Sequence, residues 1–230
     1  IISDDQFVSA YIEKAKVLEK VKRYNEALEN FRLSIELSEP NSFVYYRIAK
    51  CYIKINNKKL FIDFIKKSVR EEPGNEKAWI YLIKYYLKNN NLRQAKYLAS
   101  KALNNNHNSI KIIELNAVIY RDIGNISEAI KFYNQIIEFK ENLSWKIWKG
   151  LLRCLIDNKE WSELLRISLR AKKHYPNKAF LDFTISGCLL KNGKLNEAIY
   201  FYQSGKKTCQ VPEKLIKYFP EFNENKTLLV

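Results

Sequence analysis

Apolar residues recur along most of the chain at helical intervals. Tyr45, Ile48, Ala49 and Tyr52 stand at i, i+3, i+4 and i+7, which puts all four on one stripe of a helix. The stripes come in pairs. Asn56-Asn57, Asn89-Asn90-Asn91, Gly124-Asn125 and Gly193, residue types that tolerate a left-handed backbone, interrupt each pair at its middle. Between pairs lie Glu39-Pro40-Asn41, Glu72-Pro73-Gly74-Asn75 and Tyr175-Pro176-Asn177, where proline ends one helix before the next begins. The pattern predicts an all-α chain of antiparallel helix pairs.

The pattern also has a period. Tyr11, Tyr45 and Trp79 lie 34 residues apart, as do Ala27, Phe61, Ala95 and Ala129, and Tyr52, Tyr86 and Tyr120. One inserted residue near 142 to 145 shifts the register, after which Trp148, Leu164 and Ala198 continue it. Such a period marks a repeat array. The segments Tyr24-Asn25-Glu26-Ala27-Leu28, Glu36-Leu37-Ser38-Glu39-Pro40-Asn41 and Gly193-Lys194-Leu195-Asn196-Glu197-Ala198-Ile199, with Tyr202, resemble the tetratricopeptide repeat. Six units follow, at 8–41, 42–75, 76–109, 110–144, 145–178 and 179–212. The resemblance implies a right-handed superhelical solenoid, with residues 213–219 as a capping helix and 220–230 as an extended or frayed tail. Some positions depart from the repeat. Position 4, normally aromatic, is Ile113 and Asp182 in units four and six; position 20, normally Ala, is Phe61 and Leu164 in units two and five. Those bulky residues should push helices apart locally.

Composition narrows the chemistry. The 230 residues carry 40 Lys plus Arg against 25 Asp plus Glu, a formal charge of +15, and 47% are hydrophobic, which suits a packed fold. No run approaches the roughly 18 to 20 apolar residues of a membrane helix, and Ile1-Ile2-Ser3-Asp4-Asp5 does not open a signal peptide, so a cytoplasmic protein is expected. The chain has no Met, which suggests a piece of something longer. Its 31 Lys and 23 Asn fit a low-GC coding bias. Cys51, Cys154, Cys188 and Cys209 form no Cys-x-x-Cys pair, and no metal site is expected. No glycine-rich phosphate loop occurs, which sets aside the common nucleotide enzymes. No nucleophile has a base beside it, so neither enzyme activity nor a cofactor is expected. His107 and His174 read as surface residues near helix C-termini. Trp79, Trp148, Tyr52 and Tyr86 read as packing. Cys51, Cys154 and Cys188 share position 10; equivalent helices lie about 8–10 Å apart and a disulfide needs Cα atoms within about 7 Å, so Cys154 and Cys188 should be free thiols.

Lysine is the residue whose placement carries information. Position 9 is Lys16, Lys50 and Lys84 in the first three units, and position 13 is Lys20, Lys54 and Lys88. These are i and i+4, on the helix side opposite the core stripe. In the tetratricopeptide family the first helix lines the concave groove, so the resemblance implies a ladder of cations there. Tyr46, Arg47, Lys77 and Tyr81 stand on neighbouring groove-side positions. The reading is a non-catalytic scaffold that binds an acidic protein or peptide segment. Two others compete with it: the targeting or substrate-guiding arm of a larger enzyme, such as a glycosyltransferase acting on an anionic polymer, and an RNA-binding or other nucleic-acid-binding repeat. Self-association into a homo-oligomer through an uncapped end is a further expectation.

Overall fold

The computed structural model describes residues 4–38, 41–106, 108–140 and 142–224. All regular structure there is helical, in consecutive pairs, and groups into two compact units, Ile1–Asn116 and Ala117–Val230. The first holds α1 (Asp4–Lys20), α2 (Tyr24–Leu37), α3 (Ser42–Lys54), α4 (Lys58–Glu71), α5 (Glu76–Lys88) and α6 (Leu92–Asn105). Helix α7 (Ile110–Asp122) carries the boundary. The second unit continues with α8 (Ile126–Phe139), α9 (Trp145–Asp157), α10 (Trp161–His174), α11 (Ala179–Lys191), α12 (Leu195–Lys206), α13 (Glu213–Tyr218) and α14 (Glu221–Glu224).

The turns inside the pairs obey the repeat. Lys22, Asn56, Asn90, Gly124, Lys159 and Gly193 all have φ between 54° and 85°. They are one per unit, spaced by 34 except across the inserted residue. Four are residue types suited to that backbone; Lys22 and Lys159 adopt it without such help. Asparagine then starts the helices. Asn41, Asn57, Asn75, Asn91 and Asn125 each accept a backbone N–H three residues on, from Val44, Leu60, Ala78, Gln94 and Glu128, at 3.0–3.2 Å. Each such cap is worth about 1 kcal/mol, so part of the asparagine content has a structural role beyond coding bias. Glu39, Pro40 and His107, to which the sequence gives roles, lie outside the described residues.

Small residues let the paired helices touch. Ala15 and Ala27 are fully buried, as are Ala49, Ala95 and Ala129. Phe61, at an alanine position, is also fully buried, and its ring is taken up by Tyr81 and Tyr85 of α5 at 5.8 and 4.8 Å. Trp79, Trp148 and Tyr52 are core, while Tyr86 is half-buried with its ring edge-on to Tyr85. His174 is exposed at the end of α10 and stacks on Trp148 at 5.9 Å. Asp182 stands where an aromatic is usual and is buried; Lys172 of α10 reaches it at 2.6 Å. A buried ion pair there takes the place of ring packing.

The C-terminal end corrects one expectation. Residues 221–224 form helix α14 instead of an extended tail, because Phe222 is buried against Phe219, Tyr202 and Phe183. Residues 225–230 of the expected tail lie outside the described residues.

Candidate functional site

The first unit gathers several of the basic residues around one carboxylate. Glu19 on α1 faces two cations of α3, Lys50 Nζ at 2.7 Å and Arg47 Nε at 2.8 Å. Its side chain is 12% exposed, against 17% for Arg47 and 26% for Lys50. Lys50 donates a hydrogen bond to Glu19 Oε1. Arg47 is close but misaligned, so Arg47 Nε and Glu19 Oε2 form an ion pair without a hydrogen bond. One carboxylate between two cations leaves a positive excess, held where burial weakens solvent screening.

Aromatic rings fill the space around this cluster. Phe43, 43% exposed, lies under Lys16 at 5.9 Å and under Arg47 at 5.6 Å. Lys50 sits over Tyr46 at 5.7 Å, and Tyr46 meets Tyr81 of α5 edge-on at 6.1 Å. Lys16, Arg47, Lys50, Tyr46 and Tyr81 are therefore brought together in one continuous patch. Lys16 also pairs with Glu13 at 2.7 Å on its own helix.

The other basic residues are arranged differently. Lys20, Lys54, Lys77, Lys84 and Lys88 are exposed and make no ion pair among the described residues. Lys20, Lys54 and Lys88 occupy the last turns of α1, α3 and α5, where a cation is favoured by the helix dipole whatever else it does. That local gain does not apply to Lys77 or Lys84. Glu19 and Phe43 were not among the residues the sequence singled out. A signal exists for Glu19: position 12 is Ile53 and Leu87 in the next two units, so a carboxylate there is out of pattern.

Three of the four thiols are too buried to react. Cys51, Cys154 and Cys188 are unpaired and buried, and burial pushes them up to about 12, about 11 and about 12. For Cys51, Glu19 adds to the rise while Arg47 and Lys50 oppose it. A thiol with so high a pKa is neutral at pH 8 and a poor nucleophile. At that pH a disulfide reagent should titrate the exposed Cys209 rapidly in native protein and the other three only after denaturation; fast native titration of more than one thiol would contradict this burial. Among the described residues no group of three or more His, Cys, Asp or Glu could hold a metal ion, and no helix is long and apolar enough to cross a membrane.

The profile of the tetratricopeptide repeat matches residues 8–41, 44–75 and 117–143. The chain is similar to the tetratricopeptide repeat-containing protein trd-1 of Caenorhabditis elegans, 24% identical over 140 residues, which are 61% of this chain. It spans 18% of that relative's length. Among solved structures it is similar to pilF of Pseudomonas aeruginosa, with a TM-score of 0.65 at 12% identity over 96% of this chain and 98% of the other. It is also similar to the C-terminal part of a TPR repeat-containing protein from Cytophaga hutchinsonii, TM-score 0.68 at 17% identity, covering 94% and 90%. A further likeness is to YrrB, described as a TPR protein with an unusual peptide-binding site, TM-score 0.67 at 15% identity, covering 83% and 97%. At these identities the structural likeness concerns the fold.

Proposed function

Because this chain carries tetratricopeptide repeats, we propose that it is a non-catalytic protein-interaction scaffold whose first unit binds an acidic segment of a partner protein. Glu19 is the observation that supports this most directly. It is a carboxylate gripped by Arg47 and Lys50 and bordered by Tyr46, so it stands in for what a partner's glutamate would meet. Beyond it, Lys54, Lys84 and Lys88 offer exposed cations without internal counterions among the described residues. In this reading Arg47 and Lys50 hold the face together, and the exposed lysines attract the partner. The four unpaired cysteines suit a reducing compartment, which supports a cytoplasmic setting.

The test is a binding titration with a labelled oligoglutamate peptide at low and at physiological salt. Charge reversal at three exposed sites, Lys54→Glu, Lys84→Glu and Lys88→Glu, should weaken binding about tenfold or more and flatten the salt dependence, since exposed charges are screened within about 8 Å at physiological ionic strength. Affinity that ignores both salt and the substitutions would overturn the reading.

A further inference from the structure

The second unit carries the same arrangement with its counterion exchanged for another cation. In the first unit, position 12 of the first repeat is Glu19, which neutralises Lys50 at position 9 of the second repeat. The matching place in the fourth repeat is Arg121, and position 9 of the fifth is Arg153. Both line a cleft of about 1100 Å³, with Lys149 beside them. Its opposite wall comes from the C-terminal helix α13, which adds Lys214 and Lys217.

Two carboxylates line the cleft as well, Asp157 and Glu213, against the five cations Arg121, Lys149, Arg153, Lys214 and Lys217. Asp122 binds Arg121 at 2.8 Å, and Asp157 accepts a hydrogen bond from the Tyr218 hydroxyl at 2.6 Å, a contact that also fastens α13 over the cleft. Lys149, Arg153, Lys214 and Lys217 make no ion pair among the described residues. Between the cationic walls the lining is apolar, with Ile156, Phe180 and Leu215. A volume on this scale suits a ligand of several side chains, since small-molecule pockets run to about 1,000 Å³.

We propose that this cleft is a second binding site, which takes a short peptide segment carrying both acidic side chains and an apolar one. Its carboxylates lie between the α9 cations and those of α13, and its apolar side chain rests on Ile156, Phe180 and Leu215. The equivalent place in the first unit identifies the anion: there the chain itself supplies a carboxylate, at 2.7 Å from the position-9 cation. The second unit leaves that role to a partner and adds a wall that the repeat pattern does not include. The inference stands apart from the reading of the first unit, because no residue is shared.

The experiment is fluorescence anisotropy on the full chain carrying Lys54→Glu, Lys84→Glu and Lys88→Glu, which weaken the first unit's site, with a labelled peptide in which glutamates alternate with leucine and phenylalanine. Lys214→Glu with Lys217→Glu should weaken its binding about tenfold. Both lysines are exposed, so the thermal midpoint should not move. Absence of binding, equal binding by the α13 variant, equal affinity for an all-glutamate peptide, or tighter binding of a uridine oligonucleotide would each overturn the proposal.

Discussion

Replacing Phe219 by alanine is expected to lower the stability of the second unit by about 3–5 kcal/mol, the usual cost of removing a buried aromatic ring. Phe219 is fully buried between Trp161 and Phe222, with ring centroids 5.4 and 5.7 Å away. Its ring also lies directly on Gly187 of α11, where an added Cβ would run into the ring carbons. Gly187→Ala should therefore destabilise as well, by about 1–3 kcal/mol, because the ring is confined on its other sides. The double variant separates two explanations. If ring and glycine form one joint, the methyl group that Gly187→Ala introduces enters space the ring has left, and the two changes together cost less than their sum. Denaturant unfolding followed by tryptophan fluorescence suits the measurement, since Trp145, Trp148 and Trp161 all belong to the second unit. Strict additivity would mean that the glycine tolerates a side chain without reference to Phe219.

That joint shows where a linear reading of the repeat stops. At position 9 the pattern runs Lys16, Lys50, Lys84, and Gly187 looks like a gap in a basic row. Its physical reason is a ring delivered from more than thirty residues downstream, which no spacing within the repeat can announce. Asp182 is similar: an aspartate at an aromatic position makes sense once Lys172 arrives from the preceding helix. Helix pairs, turns and core stripes were legible because they depend on neighbours within a few residues. Asn56, Asn90, Gly124 and Gly193 mark their turns by residue type, whereas Lys22 and Lys159 hold the same backbone without such a signal.

The candidate sites were legible by half. The lysines at positions 9 and 13 could be found from their period, but which of them carry uncompensated charge depends on a partner in the adjacent hairpin. Glu19 lies 31 residues before Lys50 and touches it because α1 and α3 are neighbours. The cleft of the second unit was harder still. Arg121 and Lys149 occupy positions 12 and 5, outside the pair of positions that repeats, and α13 contributes from beyond the last repeat.

Glu19→Gln is the change that asks most of the first unit, because it should move stability and binding in opposite directions. Glutamine keeps the shape of the side chain but leaves Arg47 and Lys50 facing each other without the carboxylate. Partly buried cations without a counterion are costly, and a loss of about 1–3 kcal/mol is expected in a denaturant titration. The comparison is Glu13→Gln, which removes an exposed i, i+3 partner of Lys16 and should cost less than about 0.5 kcal/mol. The same Glu19 variant should bind the oligoglutamate peptide several-fold more tightly, since Arg47 and Lys50 become available to it. Lower stability with unchanged affinity would make the cluster a structural ion pair and move the binding face elsewhere. Lower stability with higher affinity would mean that Glu19 occupies, from within the chain, the place a partner's carboxylate takes in the complex.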